Sequence, residues 1–442
     1  MTPTLIIAIV LFAVTYILLF ALPKHKPYIA LCSAVIFSVW LAINKEVKFN
    51  FGTFIGAIDF NVLMMIAGTM GIVELFIDSK MPMRIADVML SKFKNVQMAI
   101  VAMAVFAGVV SAFMDNVATV LIVAPIALAV CKKQNISPIA PIICIAVSSN
   151  LQGAATLVGD TTSILLAGQL DMTFIDFFWY QSRPGMFFAV ELGAALTVVL
   201  LLIIFRKEKQ PLTLDGKTEV KDYFPSILLL IVVAFLIGAS FIPKPENAVA
   251  LRFFELRNGI ICMGLFVVGI IYNLCRTKSA EATKKVFKNL DYETLLLLAS
   301  LFVVVGCIEV AGVIDKLAEG LAVIGGSNLF LMYTIIVFAS VLVSAFVDNI
   351  PYVMTMLPVV AGVSASMGVD PTVLYFGLLV GATLGGNITP VGASANITGI
   401  GMLRKEGYEV KAKDFMKISV PFTLTAVLSG YAFIWICYGI AW

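Results

Sequence analysis

The chain has 442 residues, of which 61% are hydrophobic and only 13% are charged, and its mean hydropathy is +1.02. Soluble domains are nearer half apolar and a quarter charged, so this composition excludes an ordinary soluble protein and places most of the chain in a lipid bilayer. The net charge of +3, the single histidine and the seven cysteines without a CxxC pair indicate neither a nucleic-acid partner nor a metal cluster, and we expect no resident cofactor.

Apolar runs long enough to cross a bilayer recur along the whole chain, for example residues 4–22, 186–205, 224–242 and 419–442. The first run has no basic segment before it and another span follows at once, so we expect a retained membrane helix and not a cleaved signal. Short polar breaks divide the chain into about ten crossing segments and two regions typical of hairpins. These features predict an all-α polytopic membrane protein.

The first half, residues 1–205, contains a predicted re-entrant hairpin at residues 96–131. Two apolar arms meet there at a polar tip formed by Asp115 and Asn116, and basic residues flank both outer ends. The segment is therefore expected to enter and leave on one side of the membrane, with its tip at membrane depth.

A predicted broken helix follows at residues 138–170. This segment is too long for one straight span and carries Gly153, Gly159 and Asp160 near its middle. Unwound backbone at that depth is tolerated only where it is buried in protein or lines a polar cavity. The hairpin tip and the helix break together predict one site in this half.

The second half, residues 224–442, repeats both segments after a charged linker at residues 206–223. The hairpin recurs at residues 328–367 and the broken helix at residues 371–403. SAFMDNVATVLIVAPI, which begins at Ser111, returns as SAFVDNIPYVMTMLPV 233 residues later, and SSNLQGAATLVGDTTSILLAG returns as GATLGGNITPVGASANITGIG at the same offset. A polar, glycine-rich element repeated within apolar halves is the signature of a secondary transporter.

The basic residues predict that the halves are inverted copies with about five crossing segments each. Alternating the loops across the membrane places 23 of the 30 lysines and arginines on one side, which is cytoplasmic by the positive-inside rule, and both termini on the other side. The cytoplasmic loops include Lys24 and Lys26 at the first turn and Lys217 and Lys221 in the linker. The seven outer basic residues are Lys45, Lys48, Arg183, Lys244, Arg252, Arg257 and Lys316.

Three aspartates lie at the predicted tips and breaks: Asp115, Asp160 and Asp348. A charged side chain at the bilayer centre costs at least about 2.5–3.5 kcal/mol, so each needs a partner or a task. Carboxylate, amide, hydroxyl and freed carbonyl oxygens suit Na⁺, and an aspartate can also bind and release a proton. The predicted cation- or proton-binding residues are Asp115, Asn116, Asp160, Asp348, Asn349 and Asn396, with Na⁺ expected at Asp115, Asn116 and Gly159 and at Asp348, Asn349 and Gly392.

Polar residues around the tips and breaks form the predicted substrate site. Half-helix N-termini at such breaks present unpaired N–H groups, which suit an anion or an oxyacid. Neither the tips nor the broken helices contain a lysine or arginine, however, so three acidic groups favour a cation, a proton or a neutral solute as the transported species. The predicted substrate-binding residues are Thr119, Asn150, Thr156, Gly159, Thr161, Ser163, Asn387, Thr389, Gly392 and Ser394.

Close packing is the competing explanation for glycine, serine and threonine in membrane helices. The recurrence of the Asp-Asn tips and the glycine breaks at one offset favours function over packing for these two elements. Asp59 and Asp291 also match across the halves, but each begins a span, so stabilisation of a helix N-terminus explains both.

The repeated motifs resemble those of the ion transporter superfamily, in the branch that holds arsenite permeases, the melanosomal P protein, citrate-transporter-like permeases and NhaD-type sodium/proton antiporters. FMDNVATVLIVAPI and FVDNIPYVMTMLPV look like the hairpin-tip motif of that superfamily, and GGNITPVGASANITGIGM resembles the P-protein and arsenite-permease segment. The first break, GDTTS at residues 159–163, departs from the GDPPN common in the permeases and is nearer the antiporters.

The resemblance implies a homodimer in which a scaffold domain holds the protomers together and a transport domain moves against it like an elevator. The transport domain would consist of the hairpins and the broken helices, with the substrate between the two tips. Each tip and its neighbouring break would form one cation site, and the two sites would be twins.

We therefore expect a cation-coupled secondary active transporter in the plasma (inner) membrane, using Na⁺ or H⁺ and best matched to sodium/proton exchange or proton-coupled ion transport. The alternatives are a permease for a small oxyanion, a di- or tricarboxylate such as citrate, or arsenite, and a passive ion channel of the same fold. No HExxH or GxSxG motif is present, so we do not expect an enzyme. The expected partners are a small ion or small-molecule substrate, the lipid bilayer and a second copy of the chain.

Overall fold

The structure is a computed structural model, and it describes residues 3–43, 56–212, 218–220, 222–326 and 328–440. Four lysines of the predicted charge map, Lys45, Lys48, Lys217 and Lys221, lie outside the described residues. Part of the linker and both ends of the chain also lie outside them.

Helices make up most of the described chain. The first half contains α1 (Pro3–Ala21), α2 (Lys26–Ile43), α3 (Phe60–Asp78), α4 (Met81–Leu90), α5 (Val96–Ser111), α6 (Asn116–Lys133), α7 (Ile139–Gly153), α8 (Thr161–Gln169) and α9 (Met186–Ile204). The second half contains α10 (Phe224–Ser240), α11 (Ala248–Glu255), α12 (Arg257–Thr277), α13 (Ala280–Asn289), α14 (Tyr292–Val310), α15 (Val313–Gly325), α16 (Leu329–Ser344), α17 (Asn349–Met367), α18 (Thr372–Gly385), α19 (Ser394–Lys405) and α20 (Ala412–Ile434). The strands β1 (Trp179–Tyr180) and β2 (Arg183–Pro184) pair antiparallel, with Tyr180 opposite Arg183.

Nine helices among the described residues are long and apolar enough to cross a membrane: α1, α2, α3, α6, α9, α12, α14, α17 and α20. A helix of 19 residues, such as α3, rises about 28 Å, close to the ~30 Å thickness of a hydrocarbon core. Large apolar side chains such as Ile17, Ile203 and Ile271 are exposed on these helices, as expected where the solvent is lipid. The prediction of an all-α polytopic membrane protein is confirmed.

The sequence repeat is accompanied by a repeat of helix boundaries. Four consecutive helices of the first half, α5 to α8, have counterparts in α16 to α19, and each counterpart begins 233 residues later. The paired first residues are Val96 and Leu329, Asn116 and Asn349, Ile139 and Thr372, and Thr161 and Ser394. The opposite orientation of the halves, their outer boundaries and the elevator-type domains stay predictions.

The two halves share one hydrophobic core. α2 of the first half packs on α14 of the second, and α3 packs on α12. α9 packs on α20, while α19 contacts both α6 and α7. Buried apolar residues from both halves belong to one contiguous cluster, so neither half forms a separate folding unit in this structure.

Asp59 and Asp291 are N-caps, which confirms their predicted role. The Asp59 carboxylate accepts a hydrogen bond from the Val62 N–H at 3.0 Å. The Asp291 carboxylate accepts one from the Thr294 N–H at 2.9 Å. Each cap satisfies a backbone donor that has no partner within its own helix.

Glycines allow α3 and α12 to approach each other closely. A Cβ atom added to Gly68 would lie 2.5 Å from the backbone carbonyl carbon of Cys262. A Cβ atom added to Gly259 would lie 2.9 Å from the backbone oxygen of Asn61. Small residues at such contacts are the usual basis of tight helix packing in membranes.

We expect Gly68→Ala to lower the free energy of unfolding by about 1–3 kcal/mol, because the new methyl group meets backbone that cannot move aside. Gly264→Ala in α12 is the matched control, since nothing lies within 4 Å of its added Cβ atom. Thermal unfolding in detergent measures both variants. Equal midpoints for the two would contradict the close approach of these helices.

Candidate functional site

The turn between α5 and α6 lies against the break between α7 and α8, and carbonyl oxygens converge there on Gly159. A Cβ atom added to Gly159 would lie 2.5 Å from the Gly153 carbonyl oxygen. It would also lie 2.8 Å and 2.9 Å from the carbonyl oxygens of Ser111 and Ala112. We call these three oxygens the first carbonyl cage. Only a residue without a side chain fits beside them.

The second half contains the same arrangement around Gly392. A Cβ atom added there would lie 2.6 Å from the Gly386 carbonyl oxygen. It would lie 2.7 Å and 3.0 Å from the carbonyl oxygens of Ala345 and Ser344. These three oxygens form the second carbonyl cage. The two predicted Na⁺ positions, at Gly159 and Gly392, therefore both lie among backbone oxygens.

A serine and an asparagine in each hairpin are hydrogen-bonded to each other, and the asparagine lies beside Gly153 in the first half and beside Gly386 in the second. The Ser111 hydroxyl donates to Asn116 Oδ1 at 2.6 Å, and the Ser344 hydroxyl donates to Asn349 Oδ1 at 2.5 Å. The hydroxyl of Ser149 in α7 donates to the Asn116 backbone oxygen at 3.1 Å. Because both amide oxygens are held in place, each asparagine has a fixed position beside its cage.

Hydroxyl and amide groups also support the unwound backbone of the breaks. Thr156 donates to the Ala112 oxygen, and Thr389 donates to the Ala345 oxygen. Ser163 donates to the Gly153 oxygen at 3.5 Å, and the matching Asn396 donates to the Gly386 oxygen at 3.1 Å. The matched bonds show that the two sites are built alike.

The aspartates at both tips cap the helices that follow. Asp115 Oδ1 accepts from the N–H groups of Val117 at 2.9 Å and Ala118 at 3.0 Å, at the start of α6. Asp348 Oδ1 accepts from the Ile350 N–H at 3.2 Å, at the start of α17. Helix capping therefore fixes where each carboxylate lies, although a neutral asparagine would cap equally well.

Asp115 and Asp160 line one small cavity in the first half. Its volume is about 20 Å³, and Thr69 and Met70 of α3 lie on its wall. This is enough room for roughly one water-sized species. The Thr162 hydroxyl donates to Asp160 Oδ2 at 2.8 Å. Within the described part of the chain, no lysine or arginine pairs with either carboxylate.

The tip of the second half differs because a basic residue reaches it. Lys26, at the first residue of α2, places its Nζ atom 2.8 Å from Asp348 Oδ2. The sequence predicts only acidic groups at the paired site, because neither the tips nor the breaks contain a basic residue. This prediction is incomplete, because Lys26 comes from a turn 322 residues away along the chain.

The two breaks touch each other directly. Asn150 Nδ2 donates to Asn387 Oδ1 at 2.7 Å and to Asn396 Oδ1 at 3.1 Å. The hydroxyl oxygens of Thr162 and Thr383 lie 3.0 Å apart. Residues predicted separately in the two halves therefore form one buried polar network.

Three other predicted substrate residues make no side-chain hydrogen bond to this network in the described structure. The Thr119 hydroxyl is buried and has no hydrogen-bond partner in the described structure. Thr161 is the buried first residue of α8, whereas Ser394, the first residue of α19, is exposed. The candidate list missed Ser111, Ser344 and Lys26. The Ser-Ala pair in both SAFxDN motifs signalled the first two, but no local pattern signalled Lys26.

Two hairpin tips and two helix breaks that meet inside a bundle of membrane-spanning helices define the class of secondary transporters. A family model described as "Citrate transporter" matches residues 5–381, most of the chain. The chain therefore belongs to the citrate transporter family of the ion transporter superfamily.

Relatives match the chain over nearly its full length. An uncharacterized transporter of Mycobacterium tuberculosis is 27% identical over 98% of both chains. The 46 kDa membrane protein of Mycobacterium leprae is 29% identical over 98% of this chain and 99% of its own. The P protein of Homo sapiens is 23% identical over 85% of this chain and 53% of its own length.

Solved structures share the fold. The YdaH transporter of Alcanivorax borkumensis has a TM-score of 0.62 and 14% identity, covering 96% of this chain and 98% of its own. MtrF of Neisseria gonorrhoeae, described among antimetabolite efflux pumps, has a TM-score of 0.57 and 14% identity, covering 88% of this chain and 83% of its own. At this identity the likeness concerns the fold alone.

We expect Gly159→Ala to reduce stabilisation of the protein by Na⁺, because the added methyl group would fill the first carbonyl cage. The measurement is the rise of the thermal unfolding midpoint with Na⁺ concentration in detergent. The added methyl group also lowers the midpoint by overpacking alone. The variant and the wild type are therefore compared by how far Na⁺ raises the midpoint of each, and not by the midpoint itself. Gly401→Ala in α19, with nothing within 4 Å of the added Cβ atom, is the control. An unchanged rise in Gly159→Ala would argue against cation binding at the first carbonyl cage.

Proposed function

We propose that the protein is a cation-coupled secondary active transporter whose coupling species, Na⁺ or H⁺, binds at the first hairpin tip. One observation carries this proposal: Asp115 and Asp160 share a cavity of ion size without a basic partner in the described structure. Two carboxylates at membrane depth carry a formal charge of about −2, which must be offset by a cation or by protons.

The surrounding oxygens favour Na⁺ as one of these species. Na⁺ is a hard cation, and the first carbonyl cage, the Asn116 amide and the carboxylates supply hard oxygen ligands. A carboxylate that binds Na⁺ cannot also hold a proton on the same oxygen. Competition between Na⁺ and H⁺ for Asp115 and Asp160 would therefore support sodium/proton exchange.

We also propose an elevator mechanism in which the two hairpins and the two broken helices move together. The hydrogen bonds from Asn150 to Asn387 and Asn396 support this, because they join the breaks of both halves into one polar core. α2, α3, α12 and α14 would form the stationary scaffold of a homodimer. The bilayer would be the plasma (inner) membrane, with the basic loops in the cytoplasm.

A permease for a small oxyanion, a di- or tricarboxylate or arsenite is the second candidate. The description of the family model as a citrate transporter favours it, as do the half-helix N-termini at Thr161 and Ser394, which present N–H groups suited to an anion. In this case the coupling cation would bind at the first tip and the anion would lie between the tips.

We expect Asp115→Asn to abolish cation-driven pH change in proteoliposomes that contain a trapped pH dye. The substitution keeps the N-cap of α6, because asparagine caps as well as aspartate, and removes only the charge. The purified protein is challenged with Na⁺, Li⁺ and K⁺, and initial rates of dye response are compared. We expect the initial rate of the dye response to fall about tenfold or more, because the site loses half of its negative charge.

Asp370→Asn is the matched control, because the exposed Asp370 only accepts a hydrogen bond from the Thr372 N–H at 2.8 Å. A wild-type rate in Asp115→Asn would refute the role assigned to this carboxylate. Anion uptake that requires Na⁺ or a proton gradient, without cation-driven pH change, would favour the permease. Flux that only follows the electrochemical gradient would indicate a channel.

A further inference from the structure

Lys26 and Asp348 form an ion pair between the start of α2 and the second hairpin tip. Lys26 Nζ lies 2.8 Å from Asp348 Oδ2, and the two side chains are only 17% and 16% exposed. The other oxygen, Asp348 Oδ1, accepts the Ile350 N–H at 3.2 Å and caps α17. Both oxygens of this carboxylate therefore have protein partners.

The position of Lys26 is unfavourable for α2 itself. A positive charge at a helix N-terminus opposes the helix dipole, and burying the side chain adds a cost of desolvation. The neighbouring Lys24 is exposed to solvent, whereas Lys26 turns inward to the tip. The contact with Asp348 supplies the compensating negative charge.

A second contact holds the same parts of the chain together. The Tyr16 hydroxyl in α1 donates to the Pro351 oxygen at 2.8 Å and also contacts the Thr355 hydroxyl. The α1–α2 pair is thus attached to the first two turns of α17 at two points.

The charges of the two tips differ once Lys26 is included. Asp115 and Asp348 occupy matching positions, but Asp160 of the first half matches Ala393 of the second. α12, the counterpart of α2, begins at Arg257, whose guanidinium donates to the Phe254 oxygen at 2.8 Å and forms no ion pair with Asp115 or Asp160 in the described residues. The first tip therefore has two carboxylates and no basic partner, whereas the second has one carboxylate and one ammonium group.

We propose that Lys26 is the resident counter-ion of Asp348, so that the coupling cation is drawn to the first tip alone. In the conformation of this structure, Asp348 then acts as a positioning residue that holds the second hairpin against α2, and the elevator movement would have to break this ion pair. This inference rests on the proposed function and deepens it, because it makes the two half-sites chemically unequal despite their matched backbones.

A double-mutant cycle of thermal unfolding tests the pairing with the full-length protein in detergent. Lys26→Gln and Asp348→Asn each leave one buried charge without a partner, and we expect each to lower the unfolding midpoint by roughly 5 °C. The double variant has no lone charge, so at least half of either loss should be recovered. Lys24→Gln, at an exposed lysine two residues away, is the control and should leave the midpoint unchanged.

A Na⁺ titration of the same proteins tests whether the cation binds at the first tip and not at the second. We expect the Na⁺-dependent rise of the midpoint to persist in the double variant and to be lost in Asp115→Asn. If the decreases in midpoint of the two single variants add up in the double variant, the pairing of Lys26 with Asp348 is overturned. Loss of the Na⁺-dependent rise in the double variant, to the extent seen in Asp115→Asn, would overturn the assignment of the cation to the first tip.

The two proposals fail in different ways. If neither the dye response of wild-type vesicles nor the unfolding midpoint of the wild-type protein changes with Na⁺ or pH, both the proposed function and the cation assignment are wrong. The double-mutant cycle still tests the ion pair in that case. Should either single variant fail to fold, the double variant Lys26→Gln with Asp348→Asn, which keeps an N-cap for α17, is compared with it directly. Recovery of a folded protein in the double variant supports the pairing, and failure to recover one contradicts it.

Discussion

Backbone groups that leave a helix inside a bilayer must find partners within the protein, and the rest of this structure depends on that constraint. Each helix break is covered by a hairpin turn from the same half. Thr156 satisfies the Ala112 carbonyl of the first turn, and Thr389 satisfies the Ala345 carbonyl of the second. Because hairpin and break depend on each other, the two elements recur together in both halves of the chain.

The candidate cation sites follow from this construction. Covering a break with a turn brings several carbonyl oxygens together, and they converge on Gly159 and Gly392. A side chain at either glycine would occupy the space among these oxygens. The same backbone geometry that keeps the break in the membrane thus creates an arrangement of hard oxygen ligands suited to a small cation.

Matched backbones do not make the two tips equivalent, because charge is distributed unequally between them. Asp115 and Asp160 share a cavity, whereas Asp348 pairs with Lys26. A transporter that must respond to one cation gains from having a single tip with uncompensated charge. The other tip can then keep the carboxylate needed for capping α17 without binding a second ion.

Local patterns in the chain were sufficient to predict the membrane helices, the repeat at an offset of 233 residues and the caps at Asp59 and Asp291, because hydrophobicity and capping act within a few turns. They also marked Asp115 and Gly159 as members of a site. Contacts between distant residues could not be predicted in this way. Asn150 meets Asn387 across 237 positions, and Lys26 meets Asp348 across 322. Such contacts appear only when whole helices pack, since packing and not any short motif determines which ends of different helices lie side by side.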